Sequence, residues 1–131
     1  VVALTAIVSA GCGGDTVAEK AAINLVDHGS GVLFGKLPRL KTSAEIQEDT
    51  LKSDLKGAAC EWLSSYVSTG QESASSVFYA SLERRLATFG SPTQNELHSI
   101  SGEFEKLRNT VNGKTTASEA AERLACSYLP G

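Results

Sequence analysis

Three helix starts in the later part of this chain share one signature: a hydroxyl residue, glutamate three positions on, and then a run of apolar residues at helical spacing. The three segments are Thr42-Ser43-Ala44-Glu45, Thr93-Gln94-Asn95-Glu96 and Thr116-Ala117-Ser118-Glu119. In such a capping box the hydroxyl accepts from the third backbone amide while the carboxylate reaches back to the cap amide, so two orphan donors of a helix start are satisfied at once. After the first box come Leu51, Leu55, Ala58, Ala59, Trp62, Leu63 and Tyr66, up to Gly70. The second leads into Leu97, Ile100, Phe104, Leu107 and Val111, with Gly113 as terminator, and the third into Ala120, Ala121, Leu124, Ala125 and Tyr128 before Pro130. Spacings of three and four residues are the helical period.

Two further helices share the period. Val17, Ala21 and Leu25, widened by Ala18, Ala22 and Val26, predict a helix that Asp15 or Thr16 caps and that Gly29-Ser30-Gly31 ends near His28. Pro38 then biases Leu37 away from helix, so 29–41 is read as a loop that tucks Leu33 and Phe34 into the core. Phe78, Leu82, Leu86 and Phe89 mark the other helix, which Gly90 and Pro92 close. The expected fold is all-α: a small bundle of about five helices near 15–28, 42–69, 74–89, 93–112 and 116–129. Short connections favour antiparallel neighbours, with the first helix as an extra member of a bundle of four. No strand alternation or solenoid period competes with this reading. Length places 15–131 in a single domain. With aromatics at 6% and no Met, its core is built chiefly of Leu, Val, Ile and Ala. The net charge of −3 offers no basic footprint for nucleic acid.

No residue cluster makes a catalytic constellation, a metal site or a cofactor site. Gly29-Ser30-Gly31-Val32-Leu33-Phe34-Gly35-Lys36 has the glycines and lysine of a phosphate loop at the wrong spacing: the first glycine would fall at Ser30 and the hydroxyl at Leu37. His28 and His98 are the only histidines, and neither has a second ligand at zinc spacing. No G-x-S-x-G elbow frames a serine nucleophile. Glu45, Glu48, Asp49 and Asp54 fall on the polar face of the helix over 42–69 and read as solvated. Lys36, Arg39 and Lys41 form one basic spot, whose ordinary role is loop solubility and whose functional one is contact with anionic lipid.

The N-terminus is different in kind. Residues 1–11 carry no charge, are too few to span a bilayer, and have the length of a signal-peptide apolar region followed by small residues. Without an initiator Met or basic segment, 1–11 are read as a signal remnant whose start is missing. Val8-Ser9-Ala10-Gly11-Cys12 resembles the lipobox of bacterial lipoproteins. The resemblance implies diacylglycerol on the Cys12 thiol, cleavage before it, and 12–14 (with Gly13 and Gly14) as a flexible tether. Ser9 departs from the preferred leucine. Export puts the remaining cysteines where disulfides persist. With Cys12 assigned to lipid, Cys60 and Cys126 make an even count at stripe edges of their helices, and the expectation is a bond stapling the last helix to the long one; the alternative is two free buried thiols. The functional expectation is an exported, membrane-anchored, non-enzymatic module of the cell envelope that meets a protein partner through a helical face. A small-ligand carrier opening around Trp62, Tyr66 and Phe104 is the alternative.

Overall fold

The computed structural model describes residues 16–37, 44–69, 75–90 and 93–126. Among them are six α-helices and no strand: α1 (Val17–Lys36), α2 (Ala44–Thr69), α3 (Ser75–Leu86), α4 (Gln94–His98), α5 (Ser101–Thr110) and α6 (Lys114–Arg123), with a 3-10 turn at Ala87–Phe89 after α3. The protein is thus an all-α bundle.

Helix α1 opens with a full capping box at Thr16. Its hydroxyl accepts from the Glu19 amide at 3.1 Å, and its own amide donates to Glu19 Oε1 at 2.8 Å. The helix does not stop at His28. It continues through Gly29-Ser30-Gly31 to Lys36, so most of the segment expected as a loop is helical. The reason is tertiary. Ala18, Ala22, Leu25, Gly29, Leu33 and Leu37 are all buried along one face, and the stripe runs unbroken across the glycines. A Cβ on Gly29 would sit 3.4 Å from Leu55 Cδ1 and 3.7 Å from Ile100 Cγ2, in ordinary van der Waals contact, so Gly29 lies on the packed face of the helix. Ser30 is buried and donates its hydroxyl to the Asp27 carbonyl at 2.9 Å, which satisfies it without leaving the helix. Each glycine costs the helix about 1 kcal/mol relative to alanine. Burying Leu33 and Leu37 returns about 1.5–3 kcal/mol apiece, so packing wins.

That extension changes the helix's place in the bundle. α1 packs against α2, α5 and α6 and touches α4, so it is a central member and not an appendage. α2 also packs on α3 and α6.

The stripe over 93–112 is buried as expected at Leu97, Ile100, Phe104, Leu107 and Val111, but the helix carrying it is broken at Ser99–Ile100. Ser99 and Ile100 donate to the carbonyls of Glu96 and Leu97, three residues back, and the Ser99 hydroxyl takes the Asn95 carbonyl at 3.1 Å. That side-chain bond competes with the helical ladder and tightens the turn while the stripe stays in phase. The Thr93 box is present, with Glu96 Oε1 accepting from the Thr93 amide at 2.8 Å. The side chains of the box at Thr42–Glu45 fall outside the described residues. At Thr116 the expected box is absent: α6 starts two residues earlier, capped by Gly113. The Thr116 hydroxyl instead accepts from the Asn112 amide at 3.0 Å and donates to the Gly113 carbonyl at 3.0 Å.

α6 also ends sooner than the sequence suggests, at Arg123. Ala125 takes the left-handed conformation (φ 57°). Its amide donates to Glu122 and the Cys126 amide donates to Ala121, both at 3.0 Å. These are the two bonds of a Schellman motif, with alanine where glycine is usual. The motif turns Cys126 back onto α2, where it is bonded to Cys60 across a Cα separation of 5.7 Å.

Candidate functional site

Two places combine charge with restricted access. The first is the seam between α2 and α3. Ser81, Arg84 and Arg85 lie at i, i+3 and i+4 on α3 and so share one face. Both arginines bring Nη2 to the same oxygen, Glu61 Oε2, at 2.7 Å from Arg84 and 2.6 Å from Arg85. Arg85 Nε donates to the buried Ser81 hydroxyl at 3.1 Å. Gly57, one turn before Glu61, makes the seat: a Cβ there would collide with the Arg85 guanidinium. Burial pushes the Glu61 carboxyl up, but hydrogen bonds from Arg85 and Ser81 and the charges of both arginines outweigh it and hold the group below the usual range. Asp54, one turn before Gly57, goes the other way. Burial raises its pKa, the Arg85 charge offsets only part of this, and Oδ2 is buried without a partner. Asp54 was expected on a solvated face with Glu48 and Asp49; it is half-buried instead. The Ser81 hydroxyl is held against Arg85, and the geometry of the cluster is that of a clamp between two helices.

The second place is an open groove of about 360 Å³ between α1 and α5. Val17, Lys20, Ala21 and Asn24 form the α1 wall. Lys106, Asn109 and Thr110 form the α5 wall. The groove's own surface is mainly apolar, with the ammonium groups of Lys20 and Lys106 and the carboxamides of Asn24 and Asn109 along it, while the Thr110 hydroxyl donates to the Leu107 carbonyl at 3.0 Å. Lys20 is exposed and has no ion-pair partner among the described residues. Lys106 is paired with Glu103 across a long 3.6 Å, with its side chain 65% exposed.

The other residues singled out from sequence are dispersed. His28 is exposed in the middle of α1, and His98 is exposed with its ring edge-on to Tyr79 at 5.9 Å. Among the described residues no group of three or more His, Cys, Asp or Glu could hold a metal ion. Trp62 packs edge-to-face on Tyr66 at 5.7 Å and on Phe104 at 5.2 Å, and Phe78 stacks on Phe104 at 4.3 Å. All four rings are buried, so the centre of the expected carrier cavity is occupied by the rings themselves. Cys60 is buried within α2, and Cys126 is partly buried beyond the end of α6. Cys12, with the tether 12–14 and the segment 1–11, lies outside the described residues, as do Arg39 and Lys41; Lys36 is exposed at the end of α1.

Sequence reasoning did not find the Glu61 clamp or the groove. The clamp left a faint signal, a glycine inside the α2 stripe four residues before a glutamate, with paired arginines on the next helix. The groove left none, because Lys20 and Lys106 meet only through the packing of α1 on α5. No protein-family model matches this chain, no curated protein matches it, and no solved structure matches it.

Proposed function

We propose that this chain is a lipid-anchored protein of the bacterial envelope, exported and held at a membrane surface through Cys12, whose helical domain serves a protein partner as a non-enzymatic interaction or structural module. The observation that carries the reading is Val8-Ser9-Ala10-Gly11-Cys12, followed at once by Gly13 and Gly14. The bond between Cys60 and Cys126 supports it from the other side, because it takes up both remaining cysteines and leaves Cys12 as the odd thiol. A disulfide in a domain of this size also suits a compartment outside the reducing cytoplasm. No described helix is long and apolar enough to cross a membrane, so membrane attachment in this reading rests on lipid.

The test is expression in a bacterium behind a complete export signal. Wild type is expected in the membrane fraction, with an intact mass that corresponds to a diacylglyceryl-modified chain beginning at Cys12. Cys12→Ser is expected in the soluble fraction. An unmodified wild-type protein that retains residues 1–11 refutes the reading.

A further inference from the structure

We propose that the groove between α1 and α5 seats the phosphate-bearing headgroup of an anionic lipid, and so gives the domain a second point of contact beside its anchor. The inference rests on Cys12 as the point of membrane attachment. Three residues, 13–15, separate Cys12 from Thr16, the cap of α1. A fully extended chain of that length reaches at most about 14 Å. The α1 wall of the groove begins one residue past that cap, at Val17, and occupies the first two turns. Whatever holds Cys12 at a bilayer therefore holds the groove beside the headgroup layer.

The lining suits that occupant. Lys20 and Lys106 supply two ammonium groups, and the carboxamides of Asn24 and Asn109 supply neutral donors for phosphate and glycerol oxygens; the Thr110 hydroxyl is spent on the Leu107 carbonyl at 3.0 Å. Glu19 is engaged by the Thr16 amide at 2.8 Å, and Lys20 has no ion-pair partner among the described residues, while Lys106 keeps only a long 3.6 Å pair with Glu103 that a phosphate would compete for. Val17, 68% exposed at the rim, is the kind of side chain that gains by leaving water for the interface. A volume of about 360 Å³ lies at the small end of ligand sites and accommodates a headgroup. Two lysines alone bind a membrane weakly; linked to an anchor they act at high effective concentration, and the groove then sets which face of the domain meets the bilayer.

The experiment uses the chain from Cys12 to Gly131, as the proposed processing leaves it, with its disulfide intact and coupled through the Cys12 thiol to a maleimide phospholipid. Vesicles are phosphatidylcholine alone, or phosphatidylcholine with phosphatidylglycerol. Brief amine acylation, read lysine by lysine by mass spectrometry, reports access, with exposed Lys36 and Lys56 as internal references. Lys20 and Lys106 are expected to label roughly fivefold less on the anionic vesicles, from the attraction of one charge to the surface, while Lys36 and Lys56 stay unchanged. High salt should abolish the protection. Equal labelling on both vesicles overturns the proposal, as does protection centred on Lys36. Equal protection by inorganic phosphate on phosphatidylcholine vesicles also overturns it, since the site would then take the free ion. Because the attachment is made chemically, this result is separate from whether cells lipidate Cys12, which the intact mass decides.

Discussion

Breaking the Cys60–Cys126 bond tests how this bundle holds its last helix. The bond closes a loop with a sequence separation of 66 residues. Chain entropy alone then assigns it roughly 4 kcal/mol, by lowering the freedom of the unfolded chain. α6 buries little by comparison: Ala117, Ala120 and Ala121 are fully covered and Leu124 is 4% exposed. Three methyl groups at about 0.8 kcal/mol each and one leucine at about 2 come to roughly 4–5 kcal/mol, an upper figure before the entropy of ordering the helix. The covalent constraint is therefore as large as the apolar burial that docks α6. Thermal unfolding followed by circular dichroism should show the midpoint falling by about 15 °C on reduction, at roughly 4 °C per kcal/mol for a domain of this size. The double variant Cys60→Ala/Cys126→Ala, measured without reductant, should match the reduced wild type. Hydrogen exchange should locate the first loss of protection in Lys114–Arg123 before the centre of α2. A midpoint shift of less than about 4 °C refutes the entropic argument. More than one reactive thiol on the unreduced full chain removes its premise, since Cys12 alone should react.

Gly31 and Gly35 face open space inside α1, so Gly31→Ala/Gly35→Ala should raise stability by about 1.5–2 kcal/mol in denaturant titrations; no gain would show that the helix does not run past Gly29. Ala125 sits at φ 57°, so Ala125→Gly should stabilise by about 1 kcal/mol, and a loss would contradict the left-handed cap. Asp54 has a raised pKa, so the folded state disfavours its charged form, and the stability it contributes in acid is lost as pH rises through the folded value. Asp54→Asn should therefore be more stable than wild type at pH 7 and lose that advantage below the ordinary aspartate range, whereas an advantage constant with pH would rule out the charge as its cause. Glu61, with a lowered pKa, has the opposite linkage: its contribution is present above the ordinary glutamate range and disappears as pH falls below it.

What the sequence disclosed and what it hid divide along a physical line. The stripe Leu97, Ile100, Phe104, Leu107, Val111 was legible because period and burial are the same fact seen twice, and the break at Ser99 did not disturb it. The partners Cys60 and Cys126 were legible by counting and by stripe position. The end of α1 was not, because Gly29-Ser30-Gly31 has the local propensity of a terminator, and it is the burial of Gly29, Leu33 and Leu37 against neighbouring helices that reverses it. The end of α6 was hidden for the converse reason. A Schellman turn normally advertises itself with glycine, and here Ala125 occupies the position while the disulfide holds the turn. The Glu61 clamp depends on the register between α2 and α3, which no single helix encodes.

The full length of α1 bears directly on the posture that the proposed anchoring through Cys12 would allow. An unbroken helix of 20 residues is about 30 Å long, and Lys36 lies 16 residues, or about 24 Å, along the axis from Lys20. Had the helix ended at His28, a loop could have carried Lys36, Arg39 and Lys41 back toward the anchor. With α1 continuous, Lys36 is fixed at the end far from Thr16. The headgroup layer is only about 5–7 Å deep on each side of a bilayer. Lys20 and Lys36 therefore cannot both enter it unless α1 lies nearly flat. If Cys12 carries the lipid as proposed, the three residues between it and Thr16 select the near end for contact and turn the Lys36 end outward. Per-lysine labelling of the anchored protein distinguishes the two postures: protection of Lys20 and Lys106 with Lys36 open means α1 stands away from the surface, and protection of all three means that it lies along it.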